Sequence, residues 1–255
     1  MDLEFLPSEE SVNGVSDDGL AIADRVIHWR RPHEFVIDAD NEEPVVFARP
    51  EIRNPSQDIV QGQIPNTWLF STISTVAQLP SFIERIFINQ EYNYEGVYKI
   101  KLCLGGEWEE ILIDDNIPCY PLGCPIFSHN NLKNELWLPL LEKAFAKVHG
   151  SYKGLLRGYI PEALINITGF PTISMTLRDE NIYDMLESGA LWDTLKLYHS
   201  QGYLLAGSYD SEIETEHDNA LVPPHEAFAI IDIEENSQDG FKCLQLMNPY
   251  GKKNL

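Results

Sequence analysis

Positive charge is what this sequence is short of. Lysine and arginine together number 18 against 40 aspartates and glutamates, a formal net charge of −22 at pH 7. Nucleic acid and anionic membrane are themselves negative, so this balance excludes both as main partners and favours cations and basic peptides. Cysteine is scarce too. Cys103, Cys119, Cys124 and Cys243 form no CxxC pair and have no histidine at metal-ligand spacing, and the seven histidines are scattered, so no zinc site is expected. The four read as reduced thiols of a cytoplasmic protein. No run approaches the roughly 18 apolar residues of a spanning helix, and the acidic start Met1–Glu10 lacks the apolar segment of a signal peptide. Internal repeats and low-complexity tracts are missing as well.

What is present is a globular composition, 44% hydrophobic and 23% charged over 255 residues. Such a chain makes one to two domains and buries enough surface to need no disulfide or metal staple. Residues 1–28 are polar and acidic and read as a flexible arm. Residues 29–63, rich in proline and arginine and without a clear period, read as surface loop. Regularity begins at Asn66-Thr67, which precede Trp68, Leu69, Ile73, Val76 and Ala77 and predict a capped helix ending before Pro80. A second short helix is expected over Ser81–Ile88. Tyr98, Ile100, Leu102 and Leu104 alternate with polar neighbours, Gly105-Gly106 makes a turn, and Trp108–Asp114 returns as the hairpin partner. Leu136–His149 places Leu136, Leu140, Leu141, Ala144, Phe145 and Val148 on one helical face, with Gly150 just past its end. Beyond Gly169, strands are expected at Tyr203–Ala206, Ala227–Ile233 and Phe241–Met247. A mostly helical first part followed by a mostly β second part predicts an α+β protein of two lobes, 29–168 and 169–255.

Gln61-Gly62-Gln63 precede a helix N-terminus at Thr67, where free N–H groups and the macrodipole favour a thiolate or an oxyanion. Far downstream His225 opens a strand and Asn248 closes another. A histidine oriented by an asparagine side chain is how papain-type sites hold their imidazole. Taken singly, His225 is more often a surface or packed histidine, and Asn248-Pro249-Tyr250-Gly251 usually a turn. Trp108, Trp137 and Trp192 read as core, and the acidic runs 38–43 and 212–218 as solvated loops.

Together these segments resemble the calpain catalytic core. Gln61–Phe70 (QGQIPNTWLF) is similar to that family's QGxLGDCWLL, and Leu140–Leu155 (LLEKAFAKVHGSYKGL) to its LLEKAYAKxxGSYEAL. Glu162–Phe170 (EALINITGF), Gly106–Pro118 (GEWEEILIDDNIP) and Trp29–Glu34 match further family blocks, and the resemblance runs from about residue 29 onward. It implies a papain-like, two-lobed cysteine-protease fold and calcium-dependent endopeptidase cleavage of proteins or peptides. By position, Gln61 matches the oxyanion-hole residue, His225 the base and Asn248 the third triad member. The nucleophile position holds Thr67, not cysteine.

A papain-type thiol works because pairing with histidine at a helix N-terminus lowers its pKa to roughly 3–4. An alcohol does not ionise that way, and Pro65, which lacks an N–H and fixes φ, alters the loop that presents the reacting atom. The expectation is therefore a pseudoprotease that binds partners; the alternative is a working endopeptidase using Thr67 with His225 as base. The resemblance also implies Ca²⁺, held by Asp58 and Glu135 with backbone carbonyls near Glu51–Arg53. Read separately, Asp58 is a turn residue and Glu135 a helix N-terminal charge. Calpain cores continue past the Asn248 motif, so the second lobe is expected to be incomplete.

Overall fold

The computed structural model describes residues 2–15, 27–36, 43–48, 58–209, 226–236 and 240–247. Helix α3 (Thr67–Ala77) is the centre of the molecule, and all eleven of its residues are buried. Three of its hydroxyl-bearing side chains, Ser71, Thr72 and Thr75, bond back to their own helix. Thr72 Oγ1 donates to the Trp68 carbonyl at 2.8 Å and Thr75 Oγ1 to that of Ser71 at 2.7 Å. One side of α3 packs on α6 (Ile160–Thr168) and the short α4 (Pro80–Glu84), the other on a sheet formed far along the chain.

The hairpin pairs β3 (Val97–Leu104) with β4 (Glu107–Asp114), and Gly105 and Gly106 at φ 58° and 92° form the two-residue turn that needs positive φ at both positions. Tyr98, Ile100 and Leu102 point inward and are fully buried. Helix α5 (Trp137–Val148) covers this region. Its burial extends beyond the expected face, because Glu142 and Lys143 are enclosed as well, while Val148 is partly exposed. Lys143 Nζ donates to Asp114 Oδ1 and to the Asn116 carbonyl, both at 2.6 Å, and lies 5.3 Å from the Trp29 ring centroid. Arg31 grips Asp115 through two N–H groups at 2.8 and 3.1 Å. The acidic pair of the Asp114-Asp115 motif thus anchors two different segments.

Three expectations need correction. Residues 2–15 are not a loose arm. Phe5 and Val12 are core residues, helix α1 (Glu9–Asn13) is capped by Ser8, and Lys147 Nζ holds Asp2 at 2.8 Å; the rest of the expected arm, 16–26, lies outside the described residues. Among its described residues the second part holds helix as well as strand. Helices α7 (Glu180–Ser188) and α8 (Ala190–Ser200) precede the antiparallel sheet β7 (Leu205–Tyr209), β8 (Glu226–Glu235), β9 (Lys242–Met247). Trp108 is not core but 48% exposed, whereas Trp137 is buried as expected. The chain has the α+β, papain-like fold that the sequence suggested.

Candidate active site

The loop before α3 is shaped by a ribbon of two short strands, β2 (Ile59–Val60) and β6 (His129–Asn130). Ile59 faces Asn130 and Val60 faces His129. The Gln63 amide donates to the Ile126 carbonyl at 3.2 Å, so the same register continues and sets Gln61 opposite Ser128 and Gly62 opposite Phe127. The two chains approach closely there. A Cβ on Gly62 would lie 2.2 Å from the Phe127 carbonyl carbon, so only glycine follows Gln61 without displacing the facing strand. The chain then turns through Ile64 and Pro65, and α3 starts at Thr67, with Asn66 as its N-cap residue and the Leu69 amide donating to the Asn66 carbonyl at 2.9 Å.

Gln61 is buried and its amide is fully engaged as a donor: Nε2 donates to the Ile64 carbonyl at 2.6 Å and to Asn66 Oδ1 at 3.2 Å. Asn66, completely enclosed, donates through Nδ2 to Glu142 Oε1 at 3.1 Å, and the Ser128 amide donates to Glu142 Oε2 at 2.9 Å. Burial raises the Glu142 carboxyl above its ordinary value, and the bonds from Ser128 and Asn66 only partly offset this. Both of these bonds come from neutral groups, whereas Lys143, the next residue, is turned to Asp114.

The structure therefore brings Gln61 and Thr67 together in one buried loop and helix start. His225 and Asn248 lie outside the described residues. They adjoin Glu226, the first residue of β8, and Met247, the last of β9; Met247 pairs with Ala229, and β8 lies against α3. Asp58 and Glu135 are both buried, Asp58 directly before β2 and Glu135 paired across to Val45. The Asp58 carbonyl accepts from the Asn131 amide at 2.9 Å, and Glu135 Oε1 accepts from the Ala48 amide at 2.9 Å. Among the described residues no three His, Cys, Asp or Glu gather as a metal site, and two carboxylates fall short of the six to eight oxygens calcium takes. The carbonyls expected at 51–53 lie outside the described residues. Sequence reasoning missed Ser128 and Glu142 as neighbours of the loop; a glutamate inside the apolar block at 136–148 was the one available signal.

All four cysteines are free, Cys103 and Cys119 buried, and burial pushes the Cys119 thiol up to about 12, so it is inert as a nucleophile. Among the described residues no helix is long and apolar enough to cross a membrane.

The Gln61 loop, the buried start of α3 and the antiparallel sheet against that helix are consistent with a core of the papain-like cysteine-protease class, and the family match supports that class. Residues 1–255 match the family described as calpain family cysteine protease, and the chain belongs to it. It is 32% identical over 253 residues to the calpain-type cysteine protease DEK1 of Arabidopsis thaliana, covering 99% of this chain and 12% of that protein. Calpain-A of Drosophila melanogaster is 30% identical over 90% of this chain and 27% of its own length. Calpain-5 of Mus musculus is 26% identical over 89% of this chain and 38% of its own length. The chain thus spans well under half the length of these relatives.

Proposed function

We propose that this chain is a catalytically silent calpain-type core that binds protein or peptide segments in the cleft that the family resemblance implies at the start of α3. The observation that carries the reading is the state of the loop before Thr67. Thr67 stands where the family has its cysteine, and a hydroxyl at a helix N-terminus gains nothing comparable to thiolate formation. Both amide hydrogens of Gln61, which would serve an oxyanion, are committed to Ile64 and Asn66. His225 and Asn248 retain the residue types of base and orienter. Loss of a nucleophile that acts as part of such a unit costs on the order of 10⁶ in turnover.

Calcium fits this reading in part. Asp58 and Glu135 are the residues that would hold it, and the ion would supply a link between the segments that carry them. The free thiols support a reducing, cytoplasmic setting.

The test is calcium-dependent hydrolysis of an unfolded protein by the unmodified chain beside its Thr67→Cys variant, with binding of the same substrate measured in parallel. The expected result is saturable binding by both and cleavage by the variant alone. Cleavage by the unmodified chain that Thr67→Ala abolishes overturns the reading in favour of a threonine-dependent endopeptidase.

A further inference from the structure

Polar atoms around the 61–66 loop outnumber the partners that the protein gives them. Gln61 Oε1 and both amide atoms of Asn130 are buried and make no hydrogen bond within the protein, and Ser128, whose hydroxyl adjoins the Glu142 carboxylate, lies beside them. Cross-strand register sets these three residues on one face of the β2–β6 ribbon. The set mixes acceptors with donors. Water suits it, since water does both, whereas a cation leaves Asn130 Nδ2 unmatched.

We propose that Glu142 is the positioning residue of this loop: through Asn66, and through ordered water enclosed by Gln61, Ser128 and Asn130, it fixes the direction in which the Gln61 amide points. The logic is one of hydrogen-bond polarity. While Glu142 Oε1 accepts, Asn66 must turn Nδ2 toward it and present Oδ1 to Gln61. Gln61 then donates inward with both hydrogens. A donor at that Glu142 oxygen reverses Asn66, sets donor against donor at Gln61, and frees the Gln61 amide to turn. The bond from the Ser128 amide ties the same carboxylate to the strand opposite Gln61, so the two routes act on one side chain.

Glu142 is enclosed and its protonation is favoured by burial, so this polarity responds to pH. The ionisable groups on the elements around it are Tyr152, whose phenol is raised first by burial and then by the Glu142 charge, and His129 on β6, lowered by burial. On its own helix Lys143 is engaged by Asp114 and Lys147 by Asp2 and Glu4. The proposal concerns the geometry of the loop and stands whether or not Thr67 reacts, so its failure is separate from failure of the silent-core reading.

The experiment is side-chain amide NMR on the full, ¹⁵N-labelled chain, with the Gln61 signals assigned by their loss in Gln61→Ala. In the unmodified chain the Gln61 amide hydrogens are expected to exchange with solvent at least about 10-fold more slowly than those of Gln201. Glu142→Gln is expected to accelerate that exchange about 10-fold while the backbone amides of α3 keep their protection, and a water cross-peak is expected at the Asn130 amide. Unchanged Gln61 exchange in the variant, acceleration only in step with α3, or a missing water cross-peak overturns the proposal. Should Glu142→Gln not fold, titration of the unmodified chain from pH 4 to 9 decides: a titrating Gln61 signal supports it, and a flat one overturns it.

Discussion

Glu142 and Lys143 are consecutive, both enclosed, and end in opposite company. Lys143 meets a carboxylate and a carbonyl, and its positive charge, with the bonds it and the Asp2 and Asn116 amides donate, holds Asp114 below the usual carboxylate range although burial pushes it up. Glu142 meets amides, and burial keeps its carboxyl raised. The sign for stability follows. Between the ordinary carboxylate value of about 4.3 and its own raised value, the folded state holds a proton that the unfolded chain has released, so stability falls as pH rises through that window. Glu142→Gln removes the titration. Its urea midpoint, compared with that of the unmodified chain, is expected to shift in the variant's favour between pH 4 and pH 8. A constant difference across that range, measured by tryptophan fluorescence, contradicts a raised Glu142.

At the scale of elements, residues 2–15 form a strap rather than a tail. Phe5 is buried 6.1 Å from the Tyr152 ring centroid, Tyr152 stacks on Phe127 at 4.4 Å, and the Tyr152 amide donates to the Ser11 carbonyl. Phe127 in turn backs Gly62, so the strap supports the ribbon beside Gln61. Phe5→Ala is expected to cost about 3–5 kcal/mol in urea unfolding, the usual range for emptying a buried phenylalanine site, against under 1 kcal/mol for the exposed Leu3→Ala. Equal effects from the two contradict the strap. The contrast with sequence reading is instructive. Helices α3 and α5 and the β3–β4 hairpin were legible because their apolar residues keep a clear period of 3.6 or 2. The strap was not, because it rests on two apolar anchors, Phe5 and Val12, in an acidic stretch that reads as solvated. Helices α7 and α8 were missed for a related reason: only Ile182 and Leu191 are buried in them, too few to draw a stripe. Gln61 and Thr67 were legible from a contiguous motif. The Asn66–Glu142 bond joins residues 76 apart and exists only after folding.

For the molecule as a whole, burial is unequal. The large apolar cluster runs from Phe5 to Ile167, joining the strap, the hairpin, α3, α5 and α6. The later part of the described chain adds a thin contribution, chiefly Ala227–Ile230 of β8 against α3, with a bond from Gln78 Nε2 to the Ile230 carbonyl at 3.5 Å. Strand β9 presents exposed or half-exposed residues throughout. Regions with few buried apolar contacts open at lower free energy than the core they rest on. The sheet that flanks His225 and Asn248 in sequence is therefore expected to open first, leaving α3 and the Gln61 loop folded. Native-state hydrogen exchange at rising urea measures this directly. Amides of β8 and β9 should lose protection at lower denaturant than those of β3, β4 and α5. Loss of protection in all of them at one concentration would show instead that the sheet and the cluster unfold as a single unit, and that α3 transmits stability fully from one to the other.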